Sequence, residues 1–147
     1  MSNLTTKIML AVSILMFGGI AANAQIGANI VKINVPNAFI LRDKTFPAGE
    51  YSIKRTESIA GSSSTLMLHG DNGENAVFDT IPTSSVNAAD DTNVVFDLVD
   101  GQYFLAKIWV KGETVGNEIA RTKTEKRLIA QGSPKETIVV NQTKGSE

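Results

Sequence analysis

Cysteine is absent from this 147-residue chain. That excludes disulfide frameworks, thiolate metal sites, thiol catalysis and the lipid-anchored cysteine of a bacterial lipoprotein. Histidine occurs once, as His69, and tryptophan once, as Trp109. A Ser-His-Asp arrangement of His69 with Ser62, Ser63 or Ser64 is formally possible. No nucleophile-elbow sequence surrounds those serines, so His69 reads as a structural or surface residue. One tryptophan is too few for the aromatic cleft of a glycosidase. Phosphate-cradling glycine loops are missing, and no acidic run supplies the oxygen ligands of an EF-hand. The sequence therefore gives no catalytic residue, no metal site and no cofactor.

Positive charge is missing from a long central stretch. Between Thr56 and Ala106 there is no Lys or Arg, yet Glu57, Asp71, Glu74, Asp79, Asp90, Asp91, Asp97 and Asp100 all fall there. The segment after it is basic, with Lys107, Lys111, Arg121, Lys123, Lys126, Arg127, Lys135 and Lys144, and it is expected to fold against the acids. The total of 14 basic against 15 acidic residues offers no general attraction to nucleic acid. Asp97 stands out as the one acid inside an apolar strand.

There is one long apolar run. Lys7 precedes Ile8 to Ala22, and Ala22-Asn23-Ala24 has the small-x-small form that signal peptidase accepts. At about 1.5 Å per helical residue this run falls short of the roughly 30 Å hydrocarbon core. Residues 1–24 are therefore read as a cleaved signal peptide, with the cut between Ala24 and Gln25. Residues 25–147 then form a single β-rich domain, exported to a periplasm or beyond the cell. It has no further transmembrane segment, and its tail over 141–147 is polar and expected to fray. A chain of this size buries roughly two-thirds of its unfolded surface, enough for a core without staples.

Short β-branched and aromatic runs separated by turn residues fill the domain, which is the all-β pattern. Strands are expected over 25–35, 38–41, 50–54, 65–69, 75–81, 94–99, 102–110 and 137–140. Phe46-Pro47-Ala48-Gly49 reads as a hairpin turn with a bulge, Asn72-Gly73 and Asp100-Gly101 as two-residue hairpin turns, and 82–93 as a polar loop. Thr122 and Glu125 form a capping box for a short helix over 123–130, stopped by Gly132 and Pro134. The fold class is thus all-β: a single sandwich or barrel of about eight mainly antiparallel strands with one short C-terminal helix.

The two-residue turn at Asp100-Gly101 sets a register in which Leu98 faces Tyr103 and Phe96 faces Leu105. One face then carries Val94, Phe96, Leu98, Tyr103, Leu105 and Trp109, interrupted only by Lys107. The other carries Val95, Val99, Phe104, Ala106, Ile108 and Val110 beside Asp97. A strand pair apolar on both faces must be covered twice or leave a patch for a partner. Leu128 and Ile129 of the helix are the expected cover. By the Asn72-Gly73 turn, His69 pairs with Ala76 and shares a face with Met67 and Phe78.

The stretch Asn34 to Tyr51 reads NVPNAFILRDKTFPAGEY, followed by NAVF (75–78), QYFLAKIWV (102–110) and TKTEKRL (122–128). Together these resemble a family of short exported bacterial β-rich proteins with a Pro-Ala-Gly-x-Tyr motif and no assigned activity. The resemblance implies export and a β fold, and carries no functional residues.

The functional expectation is a non-catalytic exported module of the envelope or extracellular space, holding another protein or a polymer by a sheet face or loops. The alternative is a carrier in which a closed barrel encloses one small apolar ligand among Phe96, Tyr103, Leu105 and Trp109. A hydrolase ranks last.

Overall fold

The Asp100-Gly101 turn has positive φ at both residues (51° and 72°), the conformation that matches the twist of two antiparallel strands. It joins β8 (Asn93–Val99) to β9 (Gln102–Trp109), the central pair of the larger of two sheets. This is a computed structural model, and it describes residues 29–56 and 65–144. The signal segment, its cut at Ala24 and Gln25, and Ser62 to Ser64 lie outside the described residues.

The smaller sheet is an antiparallel meander in the order β1 (Asn29–Val35), β4 (Gly49–Arg55), β5 (Thr65–Gly70), β6 (Asn75–Asp79). The larger runs β11 (Lys135–Asn141), β8, β9, β10 (Val115–Glu118), β7 (Ile81–Ser84). A short hairpin of β2 (Phe39–Leu41) and β3 (Lys44–Phe46) lies off this order, with β2 parallel to β9 at Tyr103 and Phe104, along the part of β9 that β10 does not pair. One helix, α1 (Lys123–Ala130), follows β10. The architecture is a sandwich of two sheets, and they do not close into a barrel.

Aromatic and aliphatic side chains pack the space between the two sheets. Phe39 stacks on Phe46 (5.4 Å between ring centres) and meets Tyr51 and Phe96 edge-on at 5.1 and 5.5 Å. Ile33, Ile53, Leu66, Leu68 and Phe78 complete a dry layer between the sheets. Phe96 and Leu105 belong to this layer and Tyr103 packs against its margin. Phe96 and Leu105 are buried, and Tyr103 is half-buried.

Three expectations are corrected, each for a local reason. The segment Phe46 to Gly49 is not a hairpin turn, because β3 lies in the larger sheet and β4 in the smaller. Pro47 and Ala48 carry the chain across the sandwich edge. The Tyr51 hydroxyl, donating to the Pro47 carbonyl at 2.6 Å, ties that corner down. The reversing turn falls earlier, at Arg42-Asp43, with Arg42 at φ 56°.

The β5–β6 hairpin uses a three-residue loop, Asp71-Asn72-Gly73, since the Asn72 side chain accepts from the Glu74 amide at 3.0 Å and so takes up one further residue. The register moves by one: His69 faces Asn75, and Phe78 turns inward opposite Leu66.

In β9 an extra residue at Ala106 makes a β-bulge. The pairs Phe96–Leu105 and Leu98–Tyr103 hold, but beyond the bulge Val95 faces Lys107, Val94 faces Ile108 and Asn93 faces Trp109. Ile108 therefore enters the core, and Lys107 and Trp109 turn to the outer face. A buried, unpaired ammonium costs far more than one broken ladder bond.

Eleven strands are present among the described residues. The additional ones, β3, β7 and β10, are short and poor in apolar alternation. Pro82 sits in the edge strand β7, where a missing donor is tolerated. At the C-terminus, the amides of Gln142 and Thr143 still bond to the Thr92 and Lys32 carbonyls at 2.9 Å each.

Removing Phe39 removes contacts to three rings, so Phe39→Ala should cost about 3–5 kcal/mol. Tyr51→Phe, which deletes the corner hydrogen bond and the longer one that the hydroxyl accepts from Asn72 Nδ2 at 3.4 Å, should cost about 1–2 kcal/mol. Urea unfolding followed by far-UV circular dichroism would rank the two.

Candidate functional site

The outer face of the larger sheet is covered over one half and open over the other. Helix α1 packs against β8. Val99 and Phe104 on that face are buried, and Leu128 and Ile129 are half-buried. The helix residue that goes in most completely is an acid, Glu125. Across the open half runs a row set by the ladder pairs: Val139 opposite Val95, Val95 opposite Lys107, Lys107 opposite Glu118, Glu118 opposite Ile81. Val139 is 54% exposed and Ile81 57%. A cleft of about 280 Å³ lies between the two halves, walled by Trp109 and Lys107 at one end and by Asp97, Arg121, Glu125 and Lys135 at the other.

Trp109 is held there by β10. A Cβ placed on Gly116 would come within 2.6 Å of the indole, so the ring lies against bare backbone. It is half-buried, as is Lys107. Lys107 reaches Glu118 at 3.8 Å, a weak exposed pair.

The polar end of the cleft is more tightly built. Asp97 is 4% exposed and Glu125 3%. Lys135 on the neighbouring strand donates to both carboxylate oxygens of Asp97, at 3.1 Å each. The Arg121 guanidinium stands 3.7 Å from Asp97 Oδ2 and 3.4 Å from Glu125 Oε1. The basic C-terminal segment thus meets the acidic centre at one residue, Asp97. Asp79 and Glu74 instead pair with Arg42 and Lys44 of the β2–β3 hairpin.

Glu125 arrives by its position in the cap. The Thr122 hydroxyl accepts from the Glu125 amide at 3.0 Å, the first half of the capping box, and this fixes the first turn over β8. Burial pushes the Glu125 carboxyl above its usual value. The charge of Asp97, and a side-chain hydrogen bond to it, push the same way. Arg121 and the Thr122 backbone hold it down, but less strongly. Glu125 Oε1, for all its burial, has no hydrogen-bond partner among the described residues.

The remaining residues singled out by sequence fall elsewhere. His69 lies on the outer face of the smaller sheet with its Nδ1 against Asn75 Oδ1, on the other sheet from Asp97. Asp90, Asp91 and Asp100 are exposed. Among the described residues no group of three His, Asp or Glu is placed to hold a metal ion. No helix there is long and apolar enough to cross a membrane. Glu125 and Lys135 were not singled out by sequence as site residues. The usable signal was the paired anomaly of Asp97 in an apolar strand and a capping glutamate on the short helix α1.

No protein-family model, curated protein or solved structure matches this chain.

Because the folded protein holds the Glu125 proton more tightly than the unfolded chain, the associated stability is fully present below the usual value of 4.5. It is lost as the pH rises through the higher folded value. Glu125→Gln keeps the shape and cannot ionise. In urea unfolding from about pH 4 to about pH 8, wild type should therefore lose stability relative to Glu125→Gln as the pH rises. A constant difference between the two would contradict the assignment.

Proposed function

We propose that the protein is a non-catalytic interaction module, exported to the cell envelope or outside the cell, and that the open half of the larger sheet's outer face is its docking surface. The observation that carries this reading is the orientation of Trp109. The bulge at Ala106 takes the largest aromatic residue in the chain out of the core and sets it at the mouth of a cleft, on the same sheet face whose outer strands carry exposed Val139 and Ile81. Leaving so much apolar area in water is unfavourable unless something covers it.

A binding role, in place of a catalytic one, is supported by the state of the acids. Asp97 is engaged through both oxygens by Lys135, which leaves it a poor nucleophile or base. His69 lies on the opposite sheet. Export is supported by the signal-like character of residues 1–24 and by the family resemblance carried by the Pro-Ala-Gly-x-Tyr segment.

Placing a photo-cross-linking amino acid at Val139, in cells that make the protein, tests this. Val77, 61% exposed on the edge strand of the smaller sheet, is the control position. A discrete adduct from Val139, absent from Val77 and weakened by Trp109→Ala, is expected. Equal labelling at both positions, or none at Val139, would refute the docking surface.

A further inference from the structure

We infer that the free edge of β11 pairs with the β11 edge of a second copy of this chain, antiparallel about a two-fold axis at Val139, so that the larger sheet runs on across a homodimer. The surface is the edge of the strand and not the face described above, and the inference stands independently of that reading.

An open strand edge is a template for another chain, and folded proteins blunt it with proline, bulges, short strands or cover. Among the described residues every edge except β11 is treated in one of these ways. β7 carries Pro82, and β3 is three residues long. β1 has a bulge between Asn29 and Val31, and its Lys32 carbonyl accepts from the Thr143 amide at 2.9 Å. β6 is five residues long and is flanked at its two ends by Glu74 and Asp79, which pair with Lys44 and Arg42 of the β2–β3 hairpin. β11 has seven residues in unbroken register with β8 and contains no proline. Each of them is exposed or half-buried.

The ladder fixes which of its groups face outward. The Gln142 amide donates to the Thr92 carbonyl, on the β8 side. Hydrogen-bonded pairs alternate in an antiparallel ladder, so Val140, Ile138 and Glu136 bond toward β8, and the amides and carbonyls of Thr137, Val139 and Asn141 point away from it. Thr143 is next in the outward series, and its amide is the one engaged by Lys32. The free stretch therefore runs from Thr137 to Asn141, with Val139 at its middle.

The side chains select a second copy as the occupant and fix the register. Turned about Val139, the strand sets Val139 against itself, Ile138 against Val140 and Thr137 against Asn141, with Glu136 against Gln142 at the margin. Apolar meets apolar, polar meets polar, and no like charges are opposed. Centred instead on Ile138, the same strand sets Glu136 against Val140. Centred on Thr137, it sets Glu136 against Ile138 and Lys135 against Val139. Ile138 and Val140 already pack against the core, so their pairing continues it across the junction. Val139, 54% exposed, meets its counterpart on the outer face. The two outer faces then form one surface, which doubles any site they carry. A junction of two strands is small, so the dimer is weak.

The chain has no cysteine, so one introduced cysteine reports the register. Across the proposed axis the two Val139 Cα atoms lie about 5.5 Å apart, within the reach of a disulfide, and the two Thr137 Cα atoms about 14 Å apart, beyond it. Oxidation of the purified protein should link Val139→Cys into a dimer and leave Thr137→Cys monomeric. Sedimentation velocity of the unsubstituted protein from about 1 μM to about 1 mM, the range of a weak interface, should show monomer giving way to dimer. Val139→Lys opposes two lysines at the axis. Thr137→Pro removes an outward amide and leaves the ladder to β8 in place. Each should raise the dissociation constant about tenfold, with an unchanged far-UV spectrum.

A monomer throughout the concentration range overturns the proposal. So does a dimer that both substitutions leave intact, or Thr137→Cys linking as readily as Val139→Cys. In the photo-cross-linking experiment a self-adduct at Val139 carries twice the mass of the protein, and an adduct with a different protein is identified by its own mass. The edge and the docking face are thus judged separately.

Discussion

Lysine does not survive in a dry core without a partner, and simple alternation along β9 puts Lys107 in phase with Tyr103 and Leu105. One extra residue, Ala106, resolves the conflict. It turns the second half of the strand over, sends Lys107 and Trp109 outward and draws Ile108 in against Val94. The rest of the molecule follows from that reversal. The core closes on Ile108 without an indole to accommodate, and β10 places Gly116 beneath the displaced ring. The outer face acquires an aromatic residue that a regular strand would have hidden.

The same face must accept an acid. Asp97 lies in the middle of the sheet, where neither solvent nor backbone can satisfy it. Lys135, brought alongside by the β11–β8 ladder, supplies the counter-charge. Glu125 then comes in from above. It costs desolvation energy, which the protein reduces by holding the carboxyl closer to its neutral form. Removing one member of such a cluster leaves an uncompensated charge, so its parts stand or fall together. In this way a helix with modest apolar content is fixed at one position over the sheet and bounds the cleft on one side.

Much of the architecture was readable beforehand. The β class, the Asp100-Gly101 turn, and the helix with its Thr122 cap all rest on local chemistry that tertiary packing had no reason to override. What was missed depended on single residues. The Asn72 side chain lengthened one loop and shifted the pairing of His69. The Tyr51 hydroxyl turned an apparent hairpin into a corner between sheets. Short strands such as β10, with the sequence Val-Gly-Asn-Glu, exist because β7 and β9 offer them partners. Their own residues give little notice. The phase break in β9 did leave a trace, since Lys107 was the one discordant residue on an otherwise apolar face, and Trp109 changed sides with it. Three of the four suggested ligand residues, Phe96, Tyr103 and Leu105, proved to be core or core margin for the same reason that made them conspicuous.

The central claim is the reversal at Ala106, and cross-strand nuclear Overhauser effects in isotope-labelled protein read it directly. The account predicts backbone contacts pairing Val94 with Ile108 and Val95 with Lys107, alongside Phe96 with Leu105. An unbroken register, with Val95 paired to Ala106 and Val94 to Lys107, would return Trp109 to the interior and contradict it.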